Sequence, residues 1–121
     1  MVKYKTTVTE IGSIALDFLK EKMVIFFKDG APDELAEISL IHKPTDLIQE
    51  VETGDVFLIN NKTYKITAVG EVANNNLRKM GHFTLKFDSK TRAELPGNIH
   101  VEAKELPDFL VGTQVIIKKG E

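Results

Sequence analysis

"GDVFLINNKTYKITAVG", residues 54–70, has two β-rich arms about the pair Asn60-Asn61. Asparagine tolerates positive φ, so the pair predicts a tight hairpin and two antiparallel strands. The neighbouring segments read the same way. Upstream, "VKYKTTVT" (2–9) alternates and is rich in Val, Tyr and Thr, which predicts a strand. "MVIFF" (23–27) is a short apolar run, predicted as a strand buried on both faces. "ISLIH" (38–42) reads as a strand that Pro44 ends. Between these runs Gly12 breaks the first strand, and Ser13 is placed to cap a short helix over "IALDFLKEK", with Ile14–Phe18 and Ala15–Leu19 spaced i,i+4. "KDGAP" is turn chemistry. Pro32 suits a first helical position and Asp33 and Glu34 its positive end, so "PDELAE" predicts one or two helical turns.

Downstream, "EVANNNLRKMG" (71–81) spaces Ala73, Leu77 and Met80 as a helix does, with Arg78 and Lys79 in the last turn and Gly81 at the C-cap. "HFTLKFD" (82–88) puts Phe83, Leu85 and Phe87 on one face. "PGNIHVEA" (96–103) does the same with Ile99, Val101 and Ala103, and "GTQVIIKK" (112–119) closes the chain. The sum is a mainly β fold: a single antiparallel β-barrel-like domain over 1–121, of about eight strands with two or three short helices.

The chain has 121 residues, enough for one core, and at this size folding typically hides roughly 65% of the unfolded surface. It contains no cysteine, which fits a cytoplasmic protein and removes thiolate metal sites, iron–sulfur clusters and cysteine nucleophiles. "MVKYKTTVTE" is not a signal peptide, and no apolar run spans a bilayer. Sixteen basic and eighteen acidic residues are interspersed, which argues against a nucleic-acid footprint. There is no phosphate-cradling glycine loop, no HExxH and no GxSxG, and no nucleotide cofactor is expected.

Three histidines remain. His42 shares strand parity with Ile38 and Leu40, which reads as a buried, satisfied core residue. His82 follows a helix-ending glycine and reads as a cap. His100 lies on the polar face of its strand beside Glu102 and reads as a solvated or hydrogen-bonded surface side chain. Alternatively, the three converge at one mouth of the barrel. Such a cluster could hold a metal, although no i,i+2 or i,i+4 histidine pair supports one. It could equally carry a phosphoryl group, because neutral imidazole is a good nucleophile toward phosphorus. Spacing does not choose between these.

The series "DGAPDELAE…LIH", "TAVGEVANNNLRKMGHFTLKFD" and "AELPGNIHV" resembles the IIA component of the glucitol/sorbitol-specific phosphotransferase system over nearly the whole chain. The resemblance implies a cytoplasmic phosphocarrier that takes a phosphoryl group from phospho-HPr onto a histidine. It passes the group to the sorbitol-specific IIB component, and so indirectly serves the IIC permease. The histidine in the family's "IH" before a turn is here His42, the implied phosphorylated nucleophile. His82 and His100 match further family histidines and are cast as phosphate-site neighbours, with no metal. Some members carry a second histidine two residues on, where this chain has Pro44. Thr45 and backbone amides near the turn are further candidate stabilisers, and Ile41 with residues 31–38 a candidate apolar rim.

This role requires His42 to be partly exposed with His82 or His100 beside it. The alternatives are a non-catalytic β-barrel binding or regulatory module and a histidine-cluster metal-binding protein. The "MVIFF" strand would be an aggregation edge unless covered, for which a homodimer is one solution.

Overall fold

The computed structural model describes residues 1–120. Its strands are β1 (Val2–Ile11), β2 (Met23–Lys28), β3 (Leu40–Pro44), β4 (Val56–Ile59), β5 (Lys62–Val69), β6 (Phe83–Phe87), β7 (Asn98–Val101) and β8 (Gln114–Lys118). A 3-10 helix (Ala15–Glu21) follows β1, α1 (Asp33–Glu37) precedes β3, and α2 (Ala73–Met80) joins β5 to β6. The strands close into a barrel in the order β1-β3-β2-β6-β7-β5-β4-β8.

The hairpin sits where Asn60-Asn61 places it. Asn60 takes φ 53°, and Ile59 pairs with Lys62 across the turn. Alternation then decides the inside. Val24 and Phe26, Phe57 and Ile59, Phe83, Leu85 and Phe87, Val115 and Ile117 all point inward and are buried. Phe26 stacks on Phe83 with ring centroids 4.6 Å apart, and truncating such an aromatic in a closed core costs about 3–5 kcal/mol. β2 is therefore buried chiefly on one face, since Met23, Ile25 and Phe27 remain half-exposed. It also presents no free edge, because β3 and β6 pair it on both sides. The reason for expecting a covering dimer there falls away.

Six of the ladders are antiparallel, but β2–β3 and β6–β7 run parallel. A parallel pair needs a crossover. Residues 29–39, with α1, make the first, and residues 88–97, without a helix, make the second. Pro32 precedes α1 as its N-cap, one position earlier than expected. Ser13 does not cap the helix after β1, which is 3-10 and flanked by Ile14; its hydroxyl lies 3.5 Å from Glu37. The cause is the close approach of this corner to α1. A Cβ on Gly12 would lie 2.2 Å from the Ala36 carbonyl oxygen, and the Gly12 N–H bonds Ser39 instead.

Elsewhere on β1, Lys3 is buried with Asp55, their charged atoms 2.7 Å apart. The Lys3 ammonium also donates to the Glu50 carbonyl, and the Asp55 carboxylate accepts the N–H groups of Glu52 and Gly120. Burial alone would raise the Asp55 carboxyl; these bonds and the Lys3 charge bring it below its ordinary value. The pair fastens the 45–55 connection to the barrel wall.

Candidate functional site

β3 delivers His42. It pairs with Val8 of β1 and Lys28 of β2. In a strand, residues two apart share a face, so His42 turns inward with Leu40, and its exposure is 0%. The imidazole lies edge-on to the rings of Tyr4, Phe26 and Phe83. Parity thus predicts its position correctly, whereas the partial exposure expected for a surface nucleophile is not present. The turn that ends α2 lies across the ring.

Each ring nitrogen has one partner. Nε2 is 2.6 Å from the Gly81 carbonyl oxygen, and Nδ1 is 2.5 Å from the Thr6 hydroxyl. A carbonyl only accepts, so Nε2–H donates to it. The lone pair of the neutral ring is then on Nδ1, where it accepts the Thr6 O–H. Burial pushes the His42 pKa down to about 4 against the opposing Gly81 bond, so the ring is neutral near pH 7.

Gly81 is the C-cap of α2, with φ 55°. A Cβ there would lie 3.0 Å from the Lys28 Cβ and 3.2 Å from His42 Nε2. The glycine expected from helix-ending chemistry is thus required twice, by its left-handed backbone and by the imidazole beneath it.

His82 follows directly, so the carbonyl that caps His42 belongs to the Gly81–His82 peptide. Its own ring is half-buried on Phe27, centroids 4.9 Å apart. Its Nδ1–H donates to the Phe26 carbonyl at 3.0 Å. In the neutral ring this leaves the lone pair on Nε2, which has no hydrogen-bond partner among the described residues.

His100 is hydrogen-bonded, as one reading had it, but it lies neither at the surface nor beside His42. It is fully buried beneath the 88–97 crossover. Its Nδ1 is 2.8 Å from the Asp88 carboxylate, and its Nε2 accepts the Glu94 N–H at 3.2 Å. Burial would raise the Asp88 carboxyl, but the His100 and Lys90 hydrogen bonds and nearby charges hold it below its ordinary value. Lys86 and Lys90 grip the Glu94 carboxylate at 2.5 and 2.8 Å and pull it down to about 2. Asp88, Glu94 and His100 bring their polar atoms within 4.8 Å of one another. That geometry resembles a metal cluster, but both His100 nitrogens, Asp88 Oδ1 and both Glu94 carboxylate oxygens are already engaged within the knot. The knot does what a crossover helix usually does: it holds the return between two parallel strands.

The three histidines therefore do not converge. His42 and His82 share one peptide group, and His100 belongs to a separate structural cluster. The other expected contributors also differ. The Thr45 hydroxyl bonds the Lys5 carbonyl at 3.1 Å, and Ile41 is only 3% exposed and forms no rim. Thr6 had no local signal, being one threonine in an alternating strand whose partner lies in β3. A groove of about 650 Å³ lined by Met1, Gly54, Lys65, Glu102 and Lys118 contains no histidine.

A solved structure places this barrel among the IIA components of the phosphotransferase system. It is "The Crystal Structure of PTS System IIA Component from Enterococcus faecalis V583", which superposes with a TM-score of 0.80 at 32% identity, covering 92% of this chain and 96% of that one. The family model for the PTS system glucitol/sorbitol-specific IIA component matches residues 3–116. Glucitol/sorbitol-specific EIIA components of Escherichia coli K12 and Shigella flexneri are each 43% identical over 115 residues, 95% of this chain and 93% of theirs. The chain belongs to the glucitol/sorbitol-specific IIA family. Its activity is that of a phosphotransferase-system phosphocarrier, which holds a phosphoryl group on histidine between two transfers. No helix among the described residues is long and apolar enough to cross a membrane.

Proposed function

We propose that this chain takes the phosphoryl group from phospho-HPr onto His42 and hands it to the glucitol/sorbitol-specific IIB component in the cytoplasm, feeding the IIC permease. The observation that carries the reading is a neutral imidazole whose Nε2 is capped by one peptide group, Gly81–His82. When that peptide moves aside and the ring's proton passes by way of water from Nε2 to Nδ1, the Nε2 lone pair attacks the donor phosphorus in line. A new N–P bond forms as the donor's N–P bond breaks, and the donor imidazole leaves neutral, its other nitrogen keeping its proton. Donor and acceptor are both imidazoles, so the exchange is nearly balanced and runs in either direction. The protein contributes positioning and charge stabilisation. His82 stays in the scheme as a phosphate neighbour. His100 does not, since both its nitrogens are engaged in the crossover.

A second reading makes His82 the acceptor. Its half-exposed ring and unpartnered Nε2 favour it. One experiment separates the two. Incubation with phosphoenolpyruvate and the general phosphotransferase proteins should give acid-labile, base-stable phosphate, mapped by mass spectrometry at alkaline pH. Phosphate on His42, lost in His42→Gln and kept in His82→Gln, is the expected result. Phosphate on His82 selects the second reading, and absence of label on the intact protein refutes both.

A further inference from the structure

We infer that Thr6 is a positioning residue for this transfer and that the Gly81–His82 peptide is the gate it works with. The inference rests on His42 as the carrier. Its starting point is an asymmetry between the two groups that hold the ring. Gly81 offers a carbonyl, which only accepts; Thr6 offers a hydroxyl, which donates or accepts.

The resting ring carries its proton on Nε2, pointing at the Gly81 oxygen 2.6 Å away. Attack from Nε2 requires the other tautomer, with the proton on Nδ1 and the lone pair on Nε2. In the closed turn that lone pair would face the carbonyl lone pairs at contact distance, with no proton between them. The closed turn and the reactive tautomer are therefore incompatible. The peptide does more than cover the nitrogen: it also keeps the nitrogen protonated.

Thr6 resolves the other side of the ring. It is 2% exposed, on β1 opposite Pro44, and its hydroxyl meets Nδ1. In the resting ring the hydroxyl donates to Nδ1. When the turn opens, Nε2 gives its proton to water and Nδ1 takes one up. The Thr6 hydroxyl rotates and accepts the new Nδ1–H. After transfer the phosphoryl group sits on Nε2, and Nδ1–H still donates to Thr6. One hydroxyl thus satisfies the inner nitrogen before and after the reaction. Valine at this position fills nearly the same space but leaves Nδ1–H buried without an acceptor in the phosphorylated state.

The test combines a spectrum with a variant series. Nitrogen-15 spectra of the His42 ring should show a protonated Nε2 and bare Nδ1 at rest, then phosphate on Nε2 and a protonated Nδ1 after labelling. Thr6→Ser should label His42 within about two-fold of the wild-type rate. Thr6→Val should be slower by ten-fold or more, with an otherwise unchanged backbone spectrum. A resting ring protonated on Nδ1 overturns the inference without any variant, so a Thr6→Val chain that fails to fold does not shelter it. Label on His42 at the wild-type rate in Thr6→Val overturns the inference alone. Wild-type label found elsewhere than His42 overturns the His42 reading and this inference together.

Discussion

Lowering the pH from 7 to 5 should destabilise the protein through His42. The folded ring titrates at about 4, against 6.5 for an ordinary histidine, because burial outweighs the hydrogen bond to Gly81. The unfolded chain therefore takes up a proton as the pH falls through 6.5, while the folded ring stays neutral. Stability is full above that range, falls between about 6.5 and 4, and levels off once the folded ring also titrates. At about 1.4 kcal/mol per pH unit the whole window is worth about 3 kcal/mol, of which about 2 kcal/mol falls between pH 7 and 5. That is a large fraction of the roughly 5–15 kcal/mol of a typical domain. The depressed carboxyls of Asp55, Asp88 and Glu94 lose their contribution mainly below their ordinary values of 3.8 to 4.5, under the pH 7 to 5 range of the assay. The assay is urea unfolding followed by circular dichroism at pH 7, 6 and 5, wild type against His42→Gln. His82 and His100 are present in both proteins and cancel. The wild type should lose about 2 kcal/mol more than the variant. Equal losses, within about 0.5 kcal/mol, would show that the ring is not held neutral and dry.

Three further outcomes follow from contacts described above. Lys3→Met, which leaves Asp55 buried without its partner, should cost about 3–5 kcal/mol in urea unfolding, and adding Asp55→Leu should restore much of it. Gly81→Ala should lower stability by at least about 1 kcal/mol, since a left-handed φ and the 3.2 Å approach to His42 Nε2 both oppose a Cβ; a thermal melt reads it. Asp88→Asn should loosen the 88–97 crossover while the barrel persists. Faster amide exchange there and tryptic cleavage after Lys90 or Arg92 should be seen without loss of global stability beyond about 1–3 kcal/mol.

What could be read in advance was local. Asn60 had to accept positive φ, Gly81 had to end a helix, and alternation in "HFTLKFD" had to place its aromatics inside; each depends on a few neighbouring residues. The two parallel ladders were hidden because strand alternation is the same in either direction. The 3-10 turn at Ala15 depends on α1 pressing against Gly12, a contact made by residues more than twenty positions away. His100 was misjudged for a related reason: its strand face is polar, but the crossover returns over it and excludes water. His42 is the instructive case. Its parity indicated a buried ring, while the family resemblance called for a reactive one. The barrel holds it buried, and the Gly81 cap shows what would have to change for it to serve as the proposed carrier. Thr6 was invisible because its role exists only across the β1–β3 ladder.

The order of strands around the barrel has a consequence of its own. Adding four to each strand number turns β1-β3-β2-β6-β7-β5-β4-β8 into the same ring read in the opposite sense. That is the signature of a two-fold axis through the β2–β6 and β4–β8 ladders, both antiparallel. In topology it matches β1–β4 to β5–β8, the 3-10 helix to α2, and the α1 crossover to the 88–97 return. Each half lends its last strand to the other: β4 pairs only with β5 and β8, and β8 only with β1 and β4. Neither half can close by itself, so the domain is in topology a strand-swapped dimer written on one chain. The halves differ in chemistry. Where β3 turns Leu40 and His42 inward, its counterpart β7 turns Ile99 and Val101. A duplicated architecture offers two equivalent mouths, and the sequence places an inward-facing histidine at only one of them.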